Sequence, residues 1–162
     1  MENLDKLNIL KAKSFEEFKS DFRNIDSALH RLQTSIQALL DIGSYIIASF
    51  GLRTPNTNAE IIEILSEGGY LSEDKKKTYL KISQFRNRIV HLYNHIDTEK
   101  LYDILVNELG DITALYTDLP KIIEERSIGS SGSGLNYSVH PGFQWVIRYL
   151  SRFRGVSQLR SS

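Results

Sequence analysis

The chain has 162 residues, of which 41% are hydrophobic and 25% are charged, and these proportions are ordinary for a soluble globular protein. It contains no cysteine, which excludes disulfides, thiolate metal sites and cysteine nucleophiles and is compatible with a reducing cytoplasm. We find no apolar run of signal-peptide or membrane-spanning length, so the sequence predicts a cytoplasmic protein without a membrane partner.

The net charge is zero, but the charges are unevenly distributed along the chain. Residues 1–126 hold 16 Lys and Arg against all 20 Asp and Glu, whereas residues 127–162 hold four Arg and no acid. Residues 75–96 contain no acid and six cations, which are Lys75, Lys76, Lys77, Lys81, Arg86 and Arg88. This stretch could bind a polyanion, although a merely solvated helix face is a common alternative.

Signals for helices follow one another from residue 14 onward. Ser14 and Glu17 have the spacing of a capping box, which predicts that a helix begins there. A seam of a long, packed helix is then predicted from apolar residues at steps of three and four, namely Phe22, Ile25, Leu29, Leu32, Ile36, Leu39, Ile46 and Phe50. That helix should end near Gly51, before a loop at Pro55.

Three more helical segments complete the predicted body. A second capping box at 57–60 opens a short helix that ends at Gly68, and residues 72–93 form a helix with Leu80, Phe85, Ile89 and Leu92 turned inward. Asp97 is expected to cap one final long helix, with Pro120 as a candidate bend and an apolar stripe of Leu101, Leu105, Ile112, Leu115, Leu119 and Ile123. No strand pattern of useful length interrupts the series, so the predicted fold class is an all-α antiparallel helical bundle.

The composition changes abruptly after this body. Residues 127–134 are rich in Gly and Ser, as in a flexible linker, and residues 135–162 form a basic amphipathic tail. Such a tail can bind a membrane surface, nucleic acid or a protein partner, but an engineered or vector-derived origin is the favoured interpretation. The domain predicted to carry the function is therefore residues 1–126.

The groups most suited to chemistry lie in residues 86–93. A guanidinium fork matches phosphate oxygens, and an imidazole with a pKa of about 6.5 can move protons near neutral pH. RNA supplies its own nucleophile, the 2'-hydroxyl, so a base such as His91 and a cation such as Arg86 could cleave it without a metal or other cofactor. Chance is the competing explanation, since an isolated helical Arg and His are usually a solvated charge and a surface imidazole.

The run Arg86-Asn87-x-x-Val90-His91-x-Tyr93, placed near a helix end in an all-α bundle, resembles the HEPN superfamily and specifically its HepT-type toxins. The resemblance covers residues 1–126. Further segments arranged as in that family are the helix containing residues 37–42, the loop with Pro55, and the short helix that ends before Tyr70 and Leu71.

The resemblance implies a metal-independent ribonuclease toxin that acts as a homodimer, with the Arg and His of each subunit lining a shared cleft. Arg86 would stabilise phosphate charge and His91 would act as the base, while Asn87 would support them. Tyr93 matches a tyrosine to which a nucleotidyltransferase antitoxin of MNT type transfers AMP from ATP, and that modification would obstruct RNA. Arg88, Lys81 and Lys77 would hold the RNA without reading its sequence.

Helix geometry limits how this pair of residues can meet. Positions five apart differ by about 140° around a regular helix, so Arg86 and His91 cannot share one face. The Arg side chain could wrap around, the helix could loosen near His91, or two subunits could complete the site across a two-fold axis. The dimer requires the least strain.

Other polar residues carry weaker hypotheses. Asp41 is either a buried partner for a cation such as Arg86 or Arg88, which we favour, or a residue at the solvent edge of its helix. No carboxylates cluster with His30, His95 or His140 at metal-ligand spacing, so no metal is expected. The main alternative to a nuclease is a non-catalytic helical module that binds nucleotide or a nucleotidyltransferase partner.

Overall fold

The structure is a computed structural model that describes the backbone of residues 2–92 and 97–129. Within these ranges, the side chains of residues 87, 88, 90–92, 124 and 126–129 are not described. The described chain forms seven helices: α1 (Glu2–Lys11), α2 (Phe15–Lys19), α3 (Phe22–Ser49), α4 (Asn58–Glu67), α5 (Glu73–Leu92), α6 (Thr98–Asn107) and α7 (Leu109–Gly129). The predicted fold class, an all-α antiparallel helical bundle, is confirmed.

Residues Glu2–Leu119 form one compact unit, and the described residues from Pro120 to Gly129 belong to a second. The described part of the second unit is the end of α7, which runs to Gly129 and so includes the first three residues of the predicted linker. The predicted tail, residues 135–162, lies outside the described residues.

Helix α3 is the centre of the first unit and packs against α1, α2, α4, α5 and α6. Its predicted seam is confirmed at Leu29, Leu32 and Ile36, which are fully buried, and at Leu39, which is 1% exposed. Burying side chains of this size stabilises a fold by about 2 kcal/mol each, so the stripe on α3 is a major source of stability. The polar residues of α3 that lie next to this stripe are therefore anchored to the core through their own helix.

The helix ends confirm most of the boundary signals. Ser14 Oγ accepts the Glu17 N–H at 3.2 Å while the Glu17 carboxylate accepts the Ser14 N–H at 2.8 Å, but this box opens the short α2. Helix α3 ends at Ser49, next to Gly51, whose φ of 66° suits a residue without a Cβ. Asp97 caps α6 by accepting the Lys100 N–H at 3.0 Å, as predicted.

The second capping box forms only in part. Thr57 Oγ1 accepts the Glu60 N–H at 3.2 Å, which is half of the predicted pattern. The Glu60 carboxylate, however, accepts the backbone N–H of Asn56 at 2.6 Å. That hydrogen bond lowers the pKa of Glu60, with a smaller contribution from Arg53. Glu60 therefore binds the backbone N–H of Asn56, one residue before the N–H of Thr57 that a complete capping box would use.

Three expectations about the helices are wrong in detail. Phe22, predicted to lie in the α3 seam, is 71% exposed because it is the first residue of α3 and is not covered there. Leu80 is only partly buried, while its neighbours Tyr79 and Ile82 take the inward positions. The N-terminal α1, with Leu4, Leu7 and Leu10 buried, was not predicted at all.

The final helix is divided in two. A turn at Glu108 separates α6 from α7, where one continuous helix was predicted. The apolar pattern passes through this turn without a change of phase, since Leu105, Leu109 and Ile112 are all buried. Periodicity therefore gave no sign of the break, and the local signal is limited to Gly110, a weak helix former.

Helices α3 and α4 approach each other closely at Gly43. A Cβ at that position would lie 2.6 Å from Cγ2 of Ile61, well inside van der Waals contact. Glycine is therefore required here by space, and the contact fixes α4 on α3. The chain leaves α4 through Gly68 and Gly69, the latter with a φ of 78°, and enters α5. Among the described residues, no helix is long and apolar enough to cross a membrane.

Candidate active site

Helix α5 has a buried side and an exposed side over its described residues. Tyr79, Ile82, Phe85 and Ile89 are at most 3% exposed, and the buried hydroxyl of Ser83 donates to the Leu80 carbonyl at 2.8 Å. The exposed side carries Lys77, Lys81 and Gln84. Arg86 lies at the boundary between the two sides and is partly buried.

Arg86 is held by a short chain of hydrogen bonds from α3. Its Nε–H donates to Oε1 of Gln37 at 3.0 Å, and Nε2 of Gln37 donates in turn to Oδ1 of Asp41 at 2.9 Å. Among the interactions of the described residues, this is the one hydrogen bond of the Arg86 guanidinium. Its two terminal nitrogens are therefore available to a ligand, and together they present the paired donors that match a phosphate.

The other residues of the motif are described only in part. Asn87, Arg88 and His91 belong to α5, but their side chains lie outside the described residues, as does the whole of Tyr93. Helix α5 continues without a break to Leu92, so a loosened helix at His91 does not explain how Arg86 and His91 would meet.

The unbroken helix fixes where positions 86 and 91 lie around its axis. Position 86 comes two turns after the buried Tyr79, and position 91 comes two turns after the exposed Gln84. Since residues seven apart nearly align on a helix, the two motif positions lie on different sides of α5, as the spacing predicts.

The basic stretch along α5 is only partly neutralised. Lys75 pairs with Asp118 at 2.7 Å and Lys76 with Glu73 at 3.5 Å. Lys77 and Lys81 are exposed and form no ion pair with any described residue. Being four residues apart on one helix, they lie on the same side, which leaves two of the predicted RNA-binding cations open to an anion.

The Lys75–Asp118 pair also includes a tyrosine. The hydroxyl of Tyr79, a residue only 2% exposed, donates to Oδ2 of Asp118. Burial, and then the hydrogen bond to the Asp118 carboxylate, raise the pKa of Tyr79 well above its ordinary value. This cluster joins α5 to α7 and is structural in character, which agrees with the packing role expected for a tyrosine in a bundle.

Asp41 differs from its favoured prediction. It is exposed rather than buried, and among the described residues it forms no ion pair. Its carboxylate instead accepts from Gln37, so it reaches Arg86 through an intervening amide. The correction follows from the helix geometry, because Asp41 lies outside the apolar stripe of α3 and Gln37 stands between it and α5.

Gln37 is the site residue that the sequence did not reveal. A glutamine at a partly buried position looks like an ordinary boundary residue. The available signal was its spacing of four from Asp41, which places an amide and a carboxylate side by side on one helix. That signal says nothing about Arg86, which lies 49 residues away in sequence.

Together these features define a class of protein: an all-α bundle in which a partly buried arginine, followed five residues later by a histidine, lies on a helix with free lysines. The comparison with known families is specific. A family model described as "Ribonuclease HepT-like" matches residues 1–123, and the chain belongs to this HepT-like ribonuclease family.

Two sequence relatives support this membership. The chain is 24% identical over 95 residues to the mRNA nuclease HepT of Shewanella oneidensis, covering 59% of this chain and 71% of that protein. It is 25% identical over 101 residues to a candidate RNase of Archaeoglobus fulgidus, covering 62% of this chain and 73% of that protein.

Solved structures share the fold. A tri-AMPylated HEPN toxin of Shewanella oneidensis, in complex with an MNT antitoxin, superposes with a TM-score of 0.58 at 18% identity, covering 74% of this chain and 95% of that one. A toxin–antitoxin structure with AMP-PNP gives a TM-score of 0.57, again at 18% identity, with 73% and 95% coverage. At this identity the likeness establishes the fold of the bundle.

Proposed function

We propose that this protein is the toxin of a toxin–antitoxin pair and acts as a metal-independent endoribonuclease in the cytoplasm. Membership of the HepT-like ribonuclease family and the fold shared with HEPN toxins support this proposal. The catalytic domain is residues 1–126, followed by the linker at 127–134 and the tail at 135–162, to which we assign no function.

The observation that carries the proposal is the state of Arg86. It is partly buried on α5, and its described hydrogen bonding goes to a neutral amide through Nε alone. A full positive charge with two unengaged terminal nitrogens is poorly explained by packing, because buried or partly buried cations are normally paired with carboxylates. It is well explained by a phosphate that binds there during the reaction.

In the proposed reaction His91 removes the proton from the 2'-hydroxyl of RNA, and the 2'-oxygen attacks the adjacent phosphorus. Arg86 stabilises the negative charge that accumulates on the phosphoryl oxygens. The bond to the 5'-oxygen breaks, and the imidazolium formed at His91 returns its proton to that oxygen through a water molecule, so each site uses one His91. The products are a cyclic phosphate and a 5'-hydroxyl, so no water or metal is consumed. Asn87 orients the reacting groups.

Two features of α5 favour a site shared by two subunits and an RNA that crosses it. Positions 86 and 91 lie on different sides of an unbroken helix, so a two-fold axis brings unlike groups together with less strain than a wrapped side chain. Lys77 and Lys81 are free of ion pairs among the described residues, and with Arg88 they are proposed to hold RNA phosphates.

The proposed partner is an MNT-type nucleotidyltransferase antitoxin that transfers AMP from ATP to the hydroxyl of Tyr93. The related fold of a tri-AMPylated HEPN toxin in complex with an MNT antitoxin supports this proposal. Added nucleotides would place negative charge and bulk beside the cleft and so repel RNA.

The decisive experiment measures RNA cleavage in EDTA by the purified protein and by Arg86→Gln, His91→Ala and the surface control His30→Ala. Each motif variant should lower kcat by about 100-fold or more, since each removes transition-state stabilisation or general-base catalysis. The control should cleave normally. Cleavage that survives His91→Ala with the fold intact, or that requires a metal, contradicts the proposal, and a well-folded protein without any RNase activity favours the non-catalytic binding module.

Mixing the two inactive variants tests whether the site is shared. If Arg86 of one subunit acts with His91 of the other, a mixed dimer of Arg86→Gln and His91→Ala has one complete site. Random exchange of subunits should then restore about a quarter of the wild-type activity. No restoration in a confirmed mixed dimer places both groups of a site in one subunit.

The modification of Tyr93 is tested by coexpression with the antitoxin. The mass of the protein should increase in units of AMP, and this increase should disappear in Tyr93→Phe.

A further inference from the structure

We infer that Gln37 is the residue that positions Arg86, and that Asp41 sets the orientation of the Gln37 amide; this inference rests on the proposed function of Arg86. The observation is the hydrogen-bond chain from Asp41 through Gln37 to the guanidinium, at 2.9 and 3.0 Å. Gln37 and Asp41 are on α3, so the chain links the helix at the centre of the bundle to the helix that carries the motif.

The hydrogen bond to Nε restricts the guanidinium in a useful way. Nε is the nitrogen within the side chain, and the guanidinium is planar, so fixing the Nε–H direction fixes the plane of the whole group. The two terminal nitrogens, which make no hydrogen bond among the described residues, keep their donors for a ligand. A phosphate would then meet a pair of donors whose orientation is set before it binds.

A neutral partner is better suited to this role than a carboxylate. A carboxylate beside Arg86 would form a charge-assisted pair with it and compete with the phosphate for the same cation. The amide oxygen of Gln37 accepts one hydrogen bond and leaves the full charge of Arg86 in place. Arg86 therefore keeps its affinity for an anion while losing part of its rotational freedom.

Asp41 explains why the amide presents its oxygen to Arg86. A glutamine amide can turn over and exchange its donor and acceptor ends, and the donor end would repel a guanidinium. An ionised carboxylate only accepts, so Asp41, one turn further along α3, stabilises the orientation with Nε2 toward itself and Oε1 toward Arg86.

The helix that carries this chain is anchored in the core. Ile36 and Leu40, which directly precede Gln37 and Asp41, are 0% and 3% exposed. Gln37 itself is only partly exposed. A positioning group is effective when its own support is fixed, and here the apolar stripe of α3 provides that support.

The test compares Gln37→Leu with Gln33→Leu, the same change one turn earlier on α3 at another partly buried glutamine. Gln37→Leu should lower kcat about 10- to 100-fold and change KM by less than about threefold, because the charge that attracts RNA remains while its orientation is lost. The dependence of binding on salt should not change, since no cation is removed. Gln33→Leu should leave kcat, KM and salt dependence as in the wild type.

A rescue experiment separates positioning from general packing. Gln37→Glu alone should also lower kcat, because its carboxylate adjoins that of Asp41 and binds Arg86 too strongly. Adding Asp41→Asn removes the repulsion between the two carboxylates and supplies an amide that can donate to the carboxylate at position 37. The hydrogen-bond chain to Arg86 then re-forms, with its negative charge at position 37 instead of position 41. The double variant should have a higher kcat than Gln37→Glu, because the two carboxylates no longer repel each other, but a lower kcat than the wild type, because the carboxylate beside Arg86 still competes with the phosphate; the combined loss should be smaller than independent effects would predict. A double variant as impaired as the sum of its parts would overturn the inference.

A direct readout does not depend on RNase activity. In the wild type the Nε–H of Arg86, assigned in the NMR spectrum by its loss in Arg86→Lys, should exchange slowly with water because it is hydrogen-bonded. Exchange should become faster in Gln37→Leu, recover in the double variant and stay slow in Gln33→Leu. Unchanged exchange in Gln37→Leu overturns the inference. Faster exchange in a protein without Arg86-dependent RNA cleavage overturns the proposed function instead and leaves the structural link established.

Discussion

The cations at the two ends of α5 have different partners. Near the start of the helix Lys75 and Lys76 are paired with the carboxylates of Asp118 and Glu73. Near its end the partly buried Arg86 donates to the neutral Gln37, and the carboxylate of Asp41 is linked to it through that amide.

The difference indicates two uses of positive charge on one helix. A cation bound to a carboxylate is satisfied and contributes to packing, whereas a cation bound to an amide retains its attraction for an anion. The start of α5 is therefore an anchor to α7, and its end, with Arg86, is the surface proposed to bind a phosphate. The predictions below test this division, beginning with the largest effect on it.

Deleting the carboxylate associated with each end of α5, Asp118 or Asp41, should have opposite consequences. Asp118→Ala leaves the buried Tyr79 hydroxyl without its acceptor and Lys75 without its pair, so the free energy of unfolding should fall by about 2 kcal/mol. Asp41→Ala, at an exposed position, should change it by less than about 0.5 kcal/mol. Urea denaturation measures both values.

The rates of RNA cleavage should show the reverse order. Under conditions in which both variants are fully folded, Asp118→Ala should cleave at the wild-type rate, and Asp41→Ala should lose several-fold in kcat because the Gln37 amide can turn over. If Asp118→Ala lowers kcat as much as Asp41→Ala does, the two ends of α5 do not have separate roles and the division fails.

The lysines should differ in the salt dependence of RNA binding. Lys77→Ala and Lys81→Ala each remove a cation that is unpaired among the described residues, so each should reduce the slope of log affinity against log salt by about 0.7. Lys75→Ala and Lys76→Ala remove cations that are already paired and serve as matched controls with a smaller change. Equal slopes for all four variants would show that the pairing does not matter to RNA.

The smallest effect concerns alkaline stability. The pKa of Tyr79 is raised in the folded protein by burial and by Asp118, while in the unfolded chain it is about 10. The unfolded state therefore loses this proton first, and the stabilisation, complete below pH 10, is lost as pH rises above that value. Tyr79→Phe should be less stable at neutral pH but should decline less steeply above pH 10. Parallel curves for the two proteins would contradict the shift.

The sequence predicted most of the bundle because its helices follow local rules. Capping residues at Ser14, Thr57 and Asp97 marked helix starts, and the step of three and four on α3 identified the central stripe. These signals act within a few residues of one another, so they are visible without the fold. The arginine and histidine positions were singled out by their chemistry and by the resemblance to HEPN toxins.

The remainder depends on contacts between distant segments. Nothing near Phe22 shows that the first residue of α3 is left uncovered, and the apolar phase that continues through Glu108 conceals the turn there. Gln37 is invisible for the same reason, since its meaning comes from Arg86 on another helix. The sequence thus pointed to the proposed reacting groups more readily than to the residue proposed to orient one of them.

The close contact between Gly43 and Ile61 has a consequence for how this chain can diverge. Any side chain at position 43 collides with the Cγ2 methyl, which can move away only if Ile61 leaves the χ1 rotamer that a β-branched residue prefers in a helix or if α4 shifts. A larger residue at 43 is compatible with the fold only if position 61 loses that branch in the same lineage. The two positions should therefore co-vary across homologues as a pair.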